Sequence, residues 1–318
     1  MKKKALIVGY TGQDGTILTD FLKKDNYEII GLSRNKIFCH SDIQINKPVN
    51  INLFDQVSKL IEDYLPDEIF YLASYHHSSE DHTPDEYDKF IKSIQVNTID
   101  LFNFLEAIRR YCPSAKLFYA ASSHIFGIPD NEIQNESTPI NPICFYGISK
   151  SSGLFLCRYY RNEHNIFACT AILYNHESKY RKSKFLSKKI INGAIEIKKG
   201  NLDSISLGDL ESVVDWGYAP DYVKAMRLII QADKADDYIV ASGQKHSVKE
   251  FVEKTFSKLD LNWKKYIKVN PNIIQKTKRI LVGDISKITK KIGWKPSISF
   301  DMLIDRLIKD QGILKSEK

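Results

Sequence analysis

A tyrosine and a lysine stand four residues apart in the segment Tyr146-Gly-Ile-Ser-Lys150. Side chains at this spacing share one face of a helix. A tyrosine hydroxyl ordinarily titrates at roughly pH 10, but a neighbouring ammonium group and a cationic nicotinamide favour the phenolate. We therefore predict that Tyr146 takes a proton from a sugar hydroxyl as hydride leaves the carbon. Lys150 would tune Tyr146 and hold the ribose of the nicotinamide.

Two serines, Ser122 and Ser123, follow the apolar segment 117–121. A serine at the end of this predicted strand would fix the sugar hydroxyl next to Tyr146. The spacing of Tyr146 and Lys150 alone is equally typical of an ordinary amphipathic helix. The serines upstream and a glycine-rich turn near the N-terminus favour catalysis.

That glycine-rich turn is Gly9-Tyr-Thr-Gly12-Gln-Asp-Gly15, directly after an apolar N-terminal segment. In nucleotide-binding α/β folds, a turn in this place receives a pyrophosphate at the N-terminus of the following helix. Gly9 and Gly12 would permit the tight turn, and Gly15 would let the helix approach the strand. The spacing is G-x-x-G-x-x-G and not G-x-G-x-x-G, and a plain surface turn is the alternative.

The end of the second predicted strand bears on the choice of cofactor. It reads Gly31-Leu-Ser33-Arg34-Asn-Lys36 and carries no carboxylate that would bind a ribose 2′-hydroxyl. Arg34 could bind a 2′-phosphate, which favours NADP(H), with NAD(H) as the alternative. The alternative is that Arg34 is an ordinary loop residue whose charge lies in solvent.

Strand and helix patterns alternate along the first part of the chain. The predicted strands lie at 3–9, 27–32, 68–72, 116–121 and 168–173. The predicted helices lie at 16–24, 57–64, 87–111, 146–163, 248–259 and 300–310. This order is typical of an α/β fold of Rossmann type, with a doubly wound parallel sheet and a smaller C-terminal lobe. We expect a dinucleotide-binding domain at 1–175 and a substrate lobe at 176–318, from which some segments return to the core.

Composition narrows the class of protein. The 318 residues are 43% hydrophobic, and none of the apolar runs approaches the ~20 residues of a membrane span. The N-terminus shows no signal peptide, and the five cysteines lack metal-ligand or paired spacing. The net charge of +7 suits an anionic nucleotide substrate better than nucleic acid, because the lysines are scattered apart from the segment 179–189. We expect a cytoplasmic enzyme that binds neither nucleic acid nor membrane.

The sequence resembles the extended short-chain dehydrogenase/reductases and, among them, the GDP-mannose 4,6-dehydratases. The most specific matches are Thr-Gly-Gln-Asp-Gly in the glycine turn and Asn-His-Glu-Ser after the predicted strand at 168–173. The other matches are at 215–217, 222–223, 237–238, 242–248 and 293–296. The resemblance implies a nucleotide-sugar enzyme that acts at C4 with a tightly held nicotinamide cofactor. It also implies a homodimer or homotetramer built on the helices near 87–111 and 146–163.

Three departures from the family pattern bear on the reaction. Where the dehydratases carry a glutamate after the serine strand, this chain has His124. That glutamate takes the C5 proton and helps expel the C6 hydroxyl; a neutral imidazole could replace it as a base or only shape the pocket. Val213 and Val214 replace basic residues that include a diphosphate-binding arginine. The segment 275–279 replaces an Arg-Pro-x-Glu pattern.

The candidate residues fall into three groups. The predicted catalytic residues are Ser122, Ser123, His124, Tyr146 and Lys150. The predicted cofactor residues are Gly9, Thr11, Gly12, Gln13, Asp14, Gly15, Ser33, Arg34, Asn52, Leu53, Leu72, Ala73, Tyr146, Lys150 and His176. The predicted substrate residues are His77, Ser122, Asn175, Glu177, Arg181 and Lys189. No metal is expected, since His76, His77 and His82 have no acidic or cysteine partner at ligand spacing.

These observations leave several functions open. The first is an oxidoreductase that acts at C4 of a nucleotide sugar, GDP-linked by resemblance and either a hexose or a heptose. The second is a 4,6-dehydratase that uses His124 as its base and gives a 4-keto-6-deoxy sugar. An epimerase and a non-enzymatic cofactor-binding regulator are the remaining alternatives, and the intact Tyr146–Lys150 pair argues against the regulator.

Overall fold

A seven-stranded sheet forms the centre of the molecule. The computed structural model describes residues 2–34, 36–40, 48–76, 85–271 and 280–312. The strands of the sheet are β1 (Lys4–Val8), β2 (Glu28–Ser33), β3 (Lys36–His40), β4 (Glu68–Tyr71), β5 (Lys116–Ser122), β6 (Ala168–Leu173) and β7 (Asp237–Val240). Their spatial order is β7-β6-β5-β4-β1-β2-β3. Every neighbouring pair is parallel except β2 and β3.

The central strands are buried along almost their whole length. All four residues of β4 and all six of β6 are buried, as continuous apolar runs in a parallel sheet covered on both faces must be. This arrangement, with helices on both faces, confirms the predicted Rossmann-type α/β fold.

The edge strand β3 departs from the predicted alternation of strand and helix. It turns back antiparallel on β2, with Ser33 opposite Lys36 and Ile29 opposite His40. Only five residues long and half-buried, it lacks a clear period-two pattern. Phe38 nevertheless anchors it, since its ring lies 5.8 Å from that of Tyr10 in the glycine turn.

Helices cover both faces of the sheet. They are α1 (Gln13–Lys24), α2 (Phe54–Tyr64), α3 (Glu86–Ile94), α4 (Asp100–Tyr111), α5 (Phe145–His164), α6 (Leu186–Lys198), α7 (Ala219–Ile230), α8 (Val248–Ser257), α9 (Ser286–Ile292) and α10 (Phe300–Lys309). One hydrophobic cluster packs α2, α4 and α5 against the sheet. Another packs α1 and α7 against the opposite face. The predicted helix at 87–111 is interrupted between α3 and α4 by a π-helical turn, Gln95–Ile99.

A third hydrophobic cluster lies outside the sheet. It joins α6, α8 and α10 through side chains such as Trp216, Phe251 and Phe300. Three short strand pairs contribute residues to it: Asn175–Glu177 with Trp216–Tyr218, Ile205–Leu207 with Ile267–Val269, and Val213–Val214 with His246–Ser247. A fourth pair, Ile133–Gln134 with Val282–Gly283, lies against residues of the first cluster. Between the elements of this third cluster, the chain returns to the central sheet. There α7 packs on the same face as α1, and β7 pairs with β6.

Across the described ranges, no helix combines the length and the apolar character that a membrane crossing requires.

Candidate active site

The glycine turn after β1 is shaped by close backbone contacts. Gly9 has φ of 95°, and a Cβ there would lie 2.7 Å from the backbone nitrogen of Ala73. A Cβ on Gly15 would lie 2.4 Å from the Gly9 carbonyl oxygen. Gly12 precedes α1 and offers no side-chain cap, so the first amides of α1 are left for an anion. The turn therefore fits the pyrophosphate of a dinucleotide.

Other predicted cofactor residues surround this turn. Leu72 and Ala73 follow β4 and pack against Gly9. Ser33 ends β2, and the exposed Arg34 lies in the tight turn to β3. The exposed pair Asn52–Leu53 precedes α2.

The predicted cofactor residues Gln13, Asp14 and His176 bind one another. The Asp14 carboxylate lies 3.0 Å from Nε2 of His176, whose Nδ1 lies 2.7 Å from the carbonyl oxygen of Tyr174. The Gln13 amide donates to the His176 carbonyl at 3.0 Å and accepts from the Ser178 hydroxyl at 2.9 Å. We call Gln13, Asp14, His176 and Ser178 the turn clamp, because they tie the glycine turn to the segment after β6.

Within the turn clamp, Asp14 and His176 shift each other's pKa values in the direction that favours their charged forms. Burial by itself lowers the pKa of His176, but the Asp14 carboxylate outweighs it, and the pKa is raised above its ordinary value of 6.5. Burial by itself raises the pKa of Asp14, but His176 outweighs it, and the pKa is lowered below 3.8. The His176 ring also stacks on Tyr222 at 4.5 Å between ring centres.

The predicted catalytic residues meet at the end of β5 and the start of α5. Burial raises the pKa of Tyr146, while hydrogen bonds with Ser74 and Ser122 and the charge of Arg181 lower it in part. These three groups, and not Lys150, oppose the effect of burial on Tyr146. Ser122 is buried, as is Ser123 beside it.

Lys150 lies one turn further along α5 and is 1% exposed. Its ammonium nitrogen donates to the carbonyl oxygen of Ala120 at 2.8 Å and lies 5.8 Å from the centre of the Tyr146 ring. Burial lowers its pKa to about 7. The hydrogen bond to Ala120 therefore fixes the Lys150 side chain, and its pKa lies close to neutral pH.

Two imidazoles flank the tyrosine. The ring centre of His76 lies 4.8 Å from that of Tyr146, and the ring centre of His124 lies 5.4 Å from it, both edge-on. The two histidine rings are 6.3 Å apart. Nδ1 of His124 lies 3.8 Å from the sulfur of Cys144. We call Ser122, His124, Tyr146 and Lys150 the catalytic cluster.

Asn97, a buried residue of the π-helical turn, holds α5 in place through hydrogen bonds. The Asn97 amide donates to the Ser149 hydroxyl at 2.9 Å, and its side-chain oxygen accepts from the backbone of Tyr75 at 3.2 Å. The Tyr119 hydroxyl donates to the Asn97 carbonyl at 3.2 Å. Asn97 thus ties the helix that carries Tyr146 to the loop after β4.

The predicted substrate residues lie near the turn clamp. Asn175 is exposed. The buried Glu177 carboxylate accepts from the Ser187 hydroxyl at 2.6 Å and pairs with Arg181 at 3.3 Å. The Arg181 guanidinium also lies over the Phe185 ring at 3.7 Å. Lys189 is half-buried in the first turns of α6.

Several predicted positions fall elsewhere. His77, His82 and the segment 275–279 lie outside the described residues. Val213 and Val214 pair with the strand His246–Ser247. Within the ranges that the structure describes, no group of three or more His, Cys, Asp or Glu side chains could hold a metal ion.

Four residues near the site were not predicted from the sequence: Ser74, His76 as a neighbour of Tyr146, Asn97 and Cys144. Cys144 is half-buried beside His124, whereas Cys112, Cys157 and Cys169 are buried. None of these residues belongs to a spaced motif, and only the folding of distant segments brings them together. The one usable signal was the position of Cys144 two residues before Tyr146.

Comparison with known proteins decides the family. The sequence profile of the GDP-mannose 4,6 dehydratase family matches residues 6–307. The chain belongs to this family. GDP-mannose 4,6 dehydratase 2 of Arabidopsis thaliana is 35% identical, over 100% of this chain and 89% of that protein. The human GDP-mannose 4,6 dehydratase is 31% identical, over 96% of this chain and 90% of that protein.

Solved structures agree on the fold. RMD from Pseudomonas aeruginosa, complexed with NADPH, superposes with a TM-score of 0.81 at 18% identity, covering 97% of this chain and 98% of that one. The dTDP-glucose 4,6-dehydratase of Bacillus anthracis, in complex with NAD, also reaches 0.81, at 17% identity and with 98% and 96% coverage. Family and fold confirm the predicted resemblance, and with it an enzyme that works with a nicotinamide nucleotide.

Proposed function

We propose that this chain is a nucleotide-sugar oxidoreductase that acts at C4 of a GDP-linked hexose or heptose. One observation carries the proposal: Ser122, Tyr146 and the fixed Lys150 lie together at the same end of the sheet as the glycine turn. Ligands of open parallel sheets bind at this end, where the strands finish. The sugar class follows the family, whose named members act on GDP-mannose.

Three residues of the catalytic cluster have separate tasks in this oxidation. The bound nicotinamide supplies the hydride acceptor. The Ser122 hydroxyl holds the C4 hydroxyl of the sugar within reach of Tyr146, with which it already hydrogen-bonds. Tyr146 removes the proton from that hydroxyl. Lys150, anchored on the carbonyl oxygen of Ala120, would hold the nicotinamide ribose.

The glycine turn and its surroundings would hold the cofactor, with NADP(H) preferred over NAD(H). Gly9, Gly12 and Gly15 would accommodate the pyrophosphate at the start of α1. Ser33, which ends β2, and the exposed Arg34 in the following turn would face a 2′-phosphate. The turn clamp would keep the turn in place and leave contact with the cofactor to the backbone amides of α1.

An Arg34→Ala variant tests this preference. We expect the Kd for NADPH to rise about tenfold or more, because a hydrogen bond to a charged group contributes about 1.5–3 kcal/mol. The Kd for NADH should stay unchanged. Lys36→Ala, an exposed cation on the same hairpin, is the matched control. Equal losses for both cofactors in Arg34→Ala would contradict the assignment.

The substrate would lie between the catalytic cluster and the segment that precedes α6. The charge of Arg181 acts on the pKa of Tyr146, and Lys189 follows on α6. Both suit a diphosphate. Asn175 is exposed beside the turn clamp and can contact the sugar, whereas Glu177 holds Arg181 in place. The third hydrophobic cluster would form the substrate lobe of residues 176–318, and the dinucleotide domain would occupy 1–175.

We propose a homodimer or homotetramer assembled through α3, α4 and α5. Exposed apolar side chains line these helices, among them Tyr87 (69%), Ile91 (44%), Phe102 (41%), Phe155 (51%) and Tyr159 (54%). An exposed apolar surface of this kind is typical of a protein interface.

The five cysteines are free thiols, which fits the reducing cytoplasm.

A second candidate is a 4,6-dehydratase that begins with the same oxidation. Family membership favours it, because both plant and animal relatives bear that name. The elimination then needs a base for the C5 proton, and His124 stands beside Tyr146 where such a base would act. An oxidoreductase needs no such group.

One assay separates the two functions. The purified protein is incubated with GDP-mannose and either NADP or NAD, while the absorbance of reduced nicotinamide and the mass of the product are followed. The proposed oxidoreductase gives reduced nicotinamide and a product lighter by two hydrogens. The dehydratase gives a product lighter by one water without net reduction. A Ser122→Ala variant should slow either reaction, and the absence of both products across a panel of GDP-hexoses and GDP-heptoses would overturn the proposal.

A further inference from the structure

Cys144 occupies the position that precedes α5, two residues before Tyr146. Its sulfur accepts a hydrogen bond from the backbone nitrogen of Gly147 at 3.4 Å and so caps the helix. Cysteine is an unusual residue here, since helix caps are ordinarily Ser, Thr, Asp or Asn, whose oxygens are stronger acceptors. The presence of cysteine at this position therefore points to a role of the sulfur besides capping.

The second contact of this sulfur is with His124. Sγ of Cys144 and Nδ1 of His124 are 3.8 Å apart, within hydrogen-bonding distance for sulfur. The rest of His124 is held as well. Its backbone nitrogen donates to the Ser122 hydroxyl at 3.3 Å, and Gly147 packs so closely that a Cβ there would lie 2.6 Å from the His124 carbonyl oxygen. The Cys144 thiol thus contacts the imidazole on the Nδ1 side, while the rings of Tyr146 and His76 lie beside it and the backbone is already fixed.

We propose that Cys144 is a positioning residue that fixes His124 as the Nε2–H tautomer. A thiol can donate its one proton to Nδ1 while a sulfur lone pair accepts from Gly147, so both observed contacts are satisfied at once. A neutral imidazole that accepts at Nδ1 carries its proton on Nε2. Nε2 lies across the ring from Cys144, and the ring stands edge-on to Tyr146.

This tautomer decides what His124 can do for a sugar. Nε2–H is a hydrogen-bond donor, so it can bind a sugar oxygen, but it cannot begin by taking the C5 proton. An ionised glutamate in the same place would only accept. The inference rests on the proposed function and deepens it: the Cys144–His124 contact favours C4 oxidation without elimination.

Two variants separate capping from the histidine contact. Cys144→Ser keeps a capping group, and a better one. Its oxygen cannot replace the sulfur towards Nδ1, because the carbon–oxygen bond is shorter and N···O hydrogen bonds require roughly 2.7–3.2 Å. Cys144→Ala removes both contacts. Cys39→Ser, at a half-buried cysteine in β3, is the matched control.

The test is the 15N chemical shifts of the imidazole nitrogens in histidine-labelled protein without substrate, with His124 assigned by a His124→Gln variant. We expect the Nε2–H pattern in the wild type and in Cys39→Ser, and a mixture of tautomers in Cys144→Ser and Cys144→Ala. The melting temperature should fall in Cys144→Ala and not in Cys144→Ser. An Nδ1–H or imidazolium pattern in the wild type, or no change in either Cys144 variant, would overturn the proposal.

A second readout links the tautomer to the reaction. In deuterated water with GDP-mannose, Cys144→Ser should incorporate deuterium at C5 several-fold more often per C4 oxidation than the wild type. An unchanged ratio would overturn the link between tautomer and elimination. The NMR result does not depend on turnover, so a failure of the proposed function would show as missing oxidation in the wild type with the NMR pattern intact.

Discussion

The turn clamp and the catalytic cluster both derive from short motifs, but their side chains are used differently. In the turn clamp, Asp14 pairs with His176 and Gln13 with Ser178, so the polar groups bind one another. In the catalytic cluster, Tyr146 hydrogen-bonds with Ser122 and Ser74, and two imidazoles stand edge-on to its ring. A family-specific motif can thus hold a site in shape through contacts among its own side chains.

The largest expected effect is on catalysis. Replacing Tyr146 with Phe removes the proton acceptor and should lower kcat about 10²- to 10⁴-fold, the usual contribution of a positioned acid or base. The melting temperature should change little. Tyr266→Phe, at a half-buried tyrosine outside the catalytic cluster and outside α3, α4 and α5, is the control. Full activity in Tyr146→Phe would mean that the cluster does not perform the chemistry, as in a cofactor-binding regulator.

The turn clamp should respond in the opposite way. Asp14→Asn keeps the shape of the side chain but removes the charge that faces the buried His176. We expect the free energy of unfolding to fall by about 1–3 kcal/mol, the cost of losing a buried hydrogen bond to a charged group. Asp20→Asn, exposed on the same helix, should leave it unchanged. Denaturant unfolding of both variants measures this, and an Asp14→Asn protein as stable as the wild type would remove the distinction between the two regions.

A smaller effect concerns pH. Because folding raises the pKa of His176 above 6.5, its contribution to stability is complete below that pH and is lost as the pH rises through the folded value. Because folding lowers the pKa of Asp14 below 3.8, its contribution is complete above that pH and is lost as the pH falls through the folded value. The difference in unfolding free energy between wild type and Asp14→Asn should therefore be largest between these values, pH 3.8 and 6.5. It should shrink towards alkaline pH, and a difference that grows there would contradict the charged pair.

The sequence was informative where a pattern is local. The strand Ala168–Leu173 has the predicted bounds, and the helix bearing Tyr146 differs by one residue at each end, because continuous burial and helical spacing leave direct traces in the order of residues. The edge strand β3 left no such trace. The π-helical turn around Asn97 was equally invisible, because the helical pattern of the predicted segment 87–111 continues through it.

Prediction of the site followed the same rule: local patterns were informative, and contacts between distant segments were not. The meeting of Ser122, Tyr146 and Lys150 follows from the Tyr-Lys spacing and the strand before it. The contact between Asp14 and His176 joins residues 162 positions apart, and no single-sequence pattern encodes that distance. Cys144 and His76 belong to no motif, and their place beside His124 and Tyr146 depends on how two loops close over the sheet.

The most direct test of the central claim follows a deuterium atom placed at C4 of GDP-mannose. The isotope is traced by mass spectrometry into the nicotinamide and the sugar product. Oxidation at C4 by the catalytic cluster, without elimination, predicts that deuterium is recovered in the reduced nicotinamide and that the sugar is lighter by the lost pair of hydrogens. Deuterium at C6 of a product lighter by one water would show that the hydride returns to the sugar, and would contradict the account.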